Sequence, residues 1–367
     1  MLDRTVTLRA LLIAALIAAA AGAAAFWLGL APIGAAGGHS KLADWVLHTA
    51  MRRAVAFHAM GTEVPDLSAP GLVRLGAGHY ESGCAPCHGS PAAPSGGAAR
   101  TMLPKPPDLA ERIDDWTPAQ LHWIVDQGVM MTGMPAWPAR HREDEVWPVV
   151  AFLQALPGMD AGTYRALAYG AAGERARGLA LPAAPPRADC ARCHGPDGAG
   201  PAEGGLIPRL DIQPEAALRA ALESYAEGAR ASGIMGHAVA GLDAQTLAQL
   251  AADYAAAPMG AGPGIGAASP EALALGERLA REGLPDRDVG ACQGCHAPEA
   301  GQGRESFPRL AGQHAPYLAA QLRLFASEHP RGGGAFAALM TRATHALEAD
   351  EIEAVAAWYA AQPPAPR

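Results

Sequence analysis

Three stretches of this chain place cysteine and histidine at one fixed spacing: Cys84-Ala85-Pro86-Cys87-His88, Cys190-Ala191-Arg192-Cys193-His194 and Cys292-Gln293-Gly294-Cys295-His296. All six cysteines of the chain fall within them. Two thiols three residues apart can each add to one vinyl group of a single porphyrin, and a histidine directly after the second can ligate its iron. A structural zinc site would need four ligands, as from two separated C-x-x-C pairs, and would not explain a histidine after every pair. Each motif is therefore expected to hold one covalently bound haem c, three in all. Cys84, Cys87, Cys190, Cys193, Cys292 and Cys295 would form the thioethers, with His88, His194 and His296 as proximal ligands. No cysteine remains for a disulfide.

The opposite face of each iron decides between electron transfer and catalysis. A methionine sulfur there raises the potential and leaves no open position for a substrate. The chain has 11 methionines. Met340 alone follows the third motif. After the second, Met235 precedes the last helical stretch, whereas Met259 lies beyond it. After the first, Met134 sits in Gly133-Met134-Pro135 at a comparable distance from its histidine. Met134, Met235 and Met340 are thus the expected distal ligands, with His237 and His345 as rivals. Core filling is the ordinary role of methionine and suits Met102, Met130 and Met131 better. His48 and His58 each face a nearer competitor for iron.

The elements that must position these groups read as helices. Motif histidines at 88, 194 and 296 divide the 367 residues into three successive units of similar size. Abundant Gly (43) and Pro (32), with only 5% aromatics, point to short helices joined by irregular loops. The expected layout is 1–38 membrane anchor, 39–69 amphipathic helix and connector, 70–158 first haem unit, 159–258 second, 259–268 linker and 269–367 third. Thr117-Pro118 and Ser269-Pro270 read as helix caps with proline in the first turn. Terminal helices are expected from Glu143, over Asp243–Tyr254 and over Ala349–Tyr359.

Ala10 to His39 is uncharged, and its apolar centre, Leu11 to Leu30, is about the ~20 residues that one membrane-crossing helix needs. A cleaved signal peptide would use Ala23-Ala24-Ala25. The apolar run continues through Phe26-Trp27-Leu28, which favours an uncleaved anchor with Arg4 and Arg9 on the inner side. Lys41 to Met60 would form a helix lying on the membrane or packed on the first unit. The formal charge of −8 argues against a nucleic-acid partner.

The order helix, C-x-x-C-H, loop, methionine, terminal helix resembles class I cytochrome c. The second and third units resemble the tandem di-haem cytochromes of the c4 type, through Pro308-Arg309-Leu310-Ala311-Gly312-Gln313 and, less closely, Pro208-Arg209-Leu210-Asp211-Ile212-Gln213. The first unit, with Thr132-Gly133-Met134-Pro135-Ala136-Trp137, resembles single-haem domains of respiratory and dehydrogenase complexes. The resemblance implies an all-α fold of three tandem class I cytochrome c domains behind one N-terminal transmembrane helix. It implies that the carbonyls of Pro107, Pro208 and Pro308 accept the second N–H of the proximal histidines. It also implies a non-catalytic electron carrier of the bacterial inner membrane with its haem domains in the periplasm. Such a carrier would run between a quinol-oxidising cytochrome bc complex and a terminal oxidase. The alternative is the cytochrome subunit of a periplasmic alcohol, aldehyde or sugar dehydrogenase, and a peroxidase comes third.

Overall fold

The three units fold as the apolar spacing predicts, into helices and loops. A computed structural model of the chain describes residues 4–30, 34, 37–177, 186–201, 203–260, 262, 268–297, 305 and 307–364. Among these there is no strand, only three isolated bridges. The expected linker falls largely outside them, at 261 and 263–267, as do residues 178–185 before the second motif.

The first fifty residues form a unit of their own. Helix α1 (Arg4–Trp27) includes the apolar run Leu8–Trp27, whose mean hydropathy is 2.2 and none of which is buried. Helix α2 (Lys41–His58) follows, with Leu42 and Trp45 exposed.

In the first haem unit, α3 (Leu72–His79) widens into a π-type turn over Tyr80–Cys84 and runs into the one-turn helix α4 (Ala85–His88). Helix α5 (Pro118–Gln127) is capped as read: Thr117 accepts from the Gln120 N–H, and the Gln120 side chain accepts from the Thr117 N–H. Helix α6 (Glu143–Ala155) crosses α3. The crossing is close because a Cβ on Gly76 would overlap the Pro148 carbonyl. Val146, Val149, Val150 and Phe152 are buried there with Tyr80. Each such side chain contributes about 1.5–3 kcal/mol.

Helix α7 (Ala161–Arg177), which opens the second expected unit, buries Tyr164, Ala168 and Tyr169 in this same first core. Its helix breaks at Gly170, at φ 59° and ψ 176°. Helix α8 (Pro186–His194) brings the second motif against α7. Helices α9 (Glu215–Ala226) and α11 (Ala244–Ala255) pack through Leu218, Ala251 and Tyr254, and the short α10 (Gly233–Val239) lies between them in sequence.

The third unit repeats the plan of the first. Helix α12 (Pro270–Glu282), N-capped by Ser269, crosses α16 (Ala349–Ala361), and a Cβ on Gly276 would overlap the Ala354 carbonyl. Between them come α13 (Gln293–His296), α14 (Ala315–Ala326) and α15 (Ala337–Thr344). Met235 lies on α10 and Met340 on α15, both short helices. Met134 is on a loop.

Candidate functional site

The same geometry recurs at all three motifs. His88 Nδ1 lies 2.9 Å from the Pro107 carbonyl oxygen, His194 Nδ1 3.1 Å from that of Pro208, and His296 Nδ1 2.8 Å from that of Pro308. A carbonyl only accepts, so each Nδ1 holds the proton and each Nε2 keeps its lone pair. That is the tautomer and orientation an axial iron ligand needs. Burial lowers the pKa of His194 and His296, offset in part by the proline bonds, so the ring stays in its neutral, ligating form.

The six cysteines are unpaired. Burial pushes the Cys84 thiol up to about 12 and those of Cys190 and Cys292 up to about 11. Among the described residues no three His, Cys, Asp or Glu groups converge as metal ligands. The residues at each motif thus fit covalently bound haem.

Glycine follows the histidine in two cases, and both adopt the left-handed φ that glycine permits: Gly89 at 75° and Gly195 at 78°. Their carbonyls accept from tyrosine hydroxyls, Gly89 from Tyr80 at 2.7 Å and Gly195 from Tyr254 at 3.4 Å. Ala297 takes this place in the third motif with an extended backbone.

The three selected methionines are half-buried, whereas the rivals His237 and His345 are exposed. Met130 and Met131, beside Met134, are 87% and 66% exposed. The loop carrying Met134 is pinned at both ends: Val129 N donates to Met134 O at 3.1 Å and Trp137 N to Asp126 O at 2.8 Å. The N–H of Met235 is held by the Ser232 hydroxyl, 2.9 Å away. Met340 O accepts from the Thr344 hydroxyl at 2.9 Å.

The second and third units meet through a reciprocal clamp. Gln313 accepts from Arg209 N at 2.9 Å and donates to Arg209 O at 3.0 Å. Gln213 accepts from Arg309 N at 2.9 Å and donates to Arg309 O at 2.8 Å. Each clamped arginine directly follows the proline that holds a motif histidine. Asp211, where the second unit departs from its expected pattern, forms a fully buried pair with Arg209 at 2.6 Å. It also accepts from Gly260 N at 2.8 Å, while Arg209 donates to Gly260 O at 2.8 Å.

The first and second units meet at their motifs too. Arg192 donates to Gly78 O at 3.4 Å, and a Cβ on Gly78 would lie 3.1 Å from Cys193 Sγ. His79 is buried against Trp137, with ring centroids 4.6 Å apart, and lies 6.3 Å from His237. Burial, then the charges of His237 and Arg192, hold the His79 pKa down to about 4. Sequence reasoning did not pick out this junction, because nothing in the spacing of His79, Trp137 and Arg192 shows that residues so far apart in the chain meet.

Comparison with known proteins agrees with the geometry. The family described as cytochrome C oxidase, cbb3-type, subunit III matches residues 71–153, and the cytochrome c family matches residues 183–257. A thiosulfate dehydrogenase electron acceptor from Thiomonas intermedia is 38% identical over 189 residues, covering 50% of this chain and 83% of that protein. Cytochrome c4 from Pseudomonas aeruginosa is 38% identical over 156 residues, covering 42% of this chain and 72% of that one. Among solved structures, reduced cytochrome c4 from Pseudomonas stutzeri aligns at 30% identity with a TM-score of 0.42, over 52% of this chain and 98% of that one.

Proposed function

Since the chain belongs to the class I c-type cytochromes, among the relatives of di-haem cytochrome c4 and the thiosulfate dehydrogenase electron acceptor, we propose that it is a membrane-anchored periplasmic electron carrier with three covalently bound haems c. The observation that carries this reading is the histidine–proline contact repeated at 2.9, 3.1 and 2.8 Å. Bound haem c supplies a one-electron iron couple. The chain supplies the rest. Its cysteine pairs would fix each group covalently, and His88, His194 and His296, together with Met134, Met235 and Met340, would hold the three irons and leave no position for a substrate. Acid–base residues take no part in such a function.

The units are joined beside their motifs, which supports a path running in chain order, from first to second across Gly78 and Cys193 and from second to third across the clamp that follows the histidine-holding prolines. Helix α1, apolar over Leu8–Trp27, would hold the carrier beside its membrane partners, and the exposed Leu42 and Trp45 of α2 would suit the same surface. Those partners are a quinol-oxidising cytochrome bc complex as donor and a terminal oxidase as acceptor. The match of the first unit to an oxidase subunit family favours the second of these.

A second reading, the electron-accepting subunit of a periplasmic dehydrogenase, is favoured by the relative named as the electron acceptor of thiosulfate dehydrogenase. That name points to thiosulfate rather than an alcohol, aldehyde or sugar. Stopped-flow reduction of the full oxidised chain separates the two. Rapid haem reduction by quinol with a bc complex, followed by reoxidation by a cbb3-type oxidase, supports the carrier. Reduction only by thiosulfate with its dehydrogenase supports the subunit. A chain that no donor reduces contradicts both.

A further inference from the structure

Glu145 lies in the first turn of α6, where a carboxylate normally faces water and complements the helix dipole. Here it is 5% exposed. Its Oε1 accepts from the Ser232 hydroxyl at 2.5 Å and from Arg142 Nη2 at 2.8 Å, and its Oε2 from Gly233 N at 2.6 Å and Trp137 Nε1 at 3.1 Å. All four partners serve as donors to it, which is the arrangement of an ionised carboxylate. Burial pushes its pKa up, while Arg142 and the Ser232 bond pull it back.

The partners come from two units. Trp137 closes the loop that carries Met134. Ser232 caps the helix that carries Met235, and its hydroxyl also holds the Met235 N–H. Gly233 has no side chain for a reason: a Cβ there would overlap the Trp137 indole. Arg142 reaches the same segment, donating to Ala231 O while paired with Asp144 at 2.8 Å.

We propose that Glu145 is a positioning residue shared by the first two haem units, fastening the Met134 loop to the Met235 helix and placing one buried negative charge between their haems. This rests on the reading of Met134 and Met235 as distal ligands. A fixed anion favours the oxidised iron on both sides, so its removal raises both potentials. The third unit, none of whose described residues bonds to Glu145, keeps its own.

The test is optical potentiometry of the full haem-loaded chain, wild type against Glu145→Gln, with Asp288→Asn as a control at an exposed pair with Arg342 in the third unit. Two of the three midpoints are expected to rise together in Glu145→Gln, with the third unchanged and all three unchanged in the control. Ser232→Ala, which keeps the charge and cuts one link, is expected to move one midpoint, that of the second unit. Ser232→Ala also decides the matter if Glu145→Gln loses haem. Three unmoved midpoints in haem-replete Glu145→Gln, or unmoved midpoints in Ser232→Ala, would overturn the proposal. The ligand reading fails separately, if Met134→Ala and Met235→Ala each leave the methionine-to-iron charge-transfer band of the ferric protein intact.

Discussion

The junction between the first and second units and that between the second and third are built by different means. The second junction is a repeat: Gln213 and Gln313, a hundred positions apart, each clamp the backbone of the other unit's arginine. The first junction has no such symmetry. It relies on a buried carboxylate, Glu145, on an indole, Trp137, and on glycines at 78 and 233 that allow close approach. Both junctions also bury an ion pair, Arg142–Glu145 at the first and Arg209–Asp211 at the second. What sets the first apart is the buried neutral histidine, His79, which makes it the junction that responds to mild acid.

Breaking an attachment should have the largest effect. Replacing Cys190 and Cys193 together with alanine is expected to lower haem content from three to two per chain by pyridine haemochrome assay. Because Cys193 abuts Gly78, it should also loosen the first junction while the clamp at the second persists.

Next comes Asp211→Asn. Arg209 and Asp211 have side chains 1% and 0% exposed, and removing one charge of a buried pair costs about 3–5 kcal/mol. Chemical denaturation should show this loss, confined to the second and third units.

The first junction should be the acid-sensitive one. His79 titrates near 6.5 when unfolded and is held down to about 4 in the fold. The unfolded chain binds the extra proton between those values, so the contribution is whole above pH 6.5 and is lost as pH falls toward 4. The shift corresponds to at most about 3 kcal/mol. His79→Gln is expected to flatten stability against pH across that window.

Smaller again are Gln213→Ala and Gln313→Ala. Each removes two hydrogen bonds to the backbone of the other unit's arginine, at about 1–3 kcal/mol. The double variant should lose less than the sum, because both close one junction.

Much of this was legible in the sequence where a local rule governs. Thr117 and Ser269 cap their helices as spaced, and Pro107, Pro208 and Pro308 hold the three histidines as the family resemblance implied. What escaped depends on residues distant in the chain. Glu145 reads as an ordinary first-turn acid until Ser232, 87 positions away, is brought against it. Tyr164 and Tyr169 read as the start of the second unit, yet both donate to Glu81 in the first. Asp211 read as a weakened match. It proves to be the counter-charge that lets Arg209 be buried.

The most direct test of the central claim is the optical spectrum of the dithionite-reduced full chain before and after carbon monoxide, with haem counted per chain. Three haems and an unchanged spectrum are predicted, the outcome expected if a histidine and a methionine close every iron. Fewer than three haems, or a carbon monoxide change worth one haem, would contradict the account and turn attention to catalysis or sensing at the open iron.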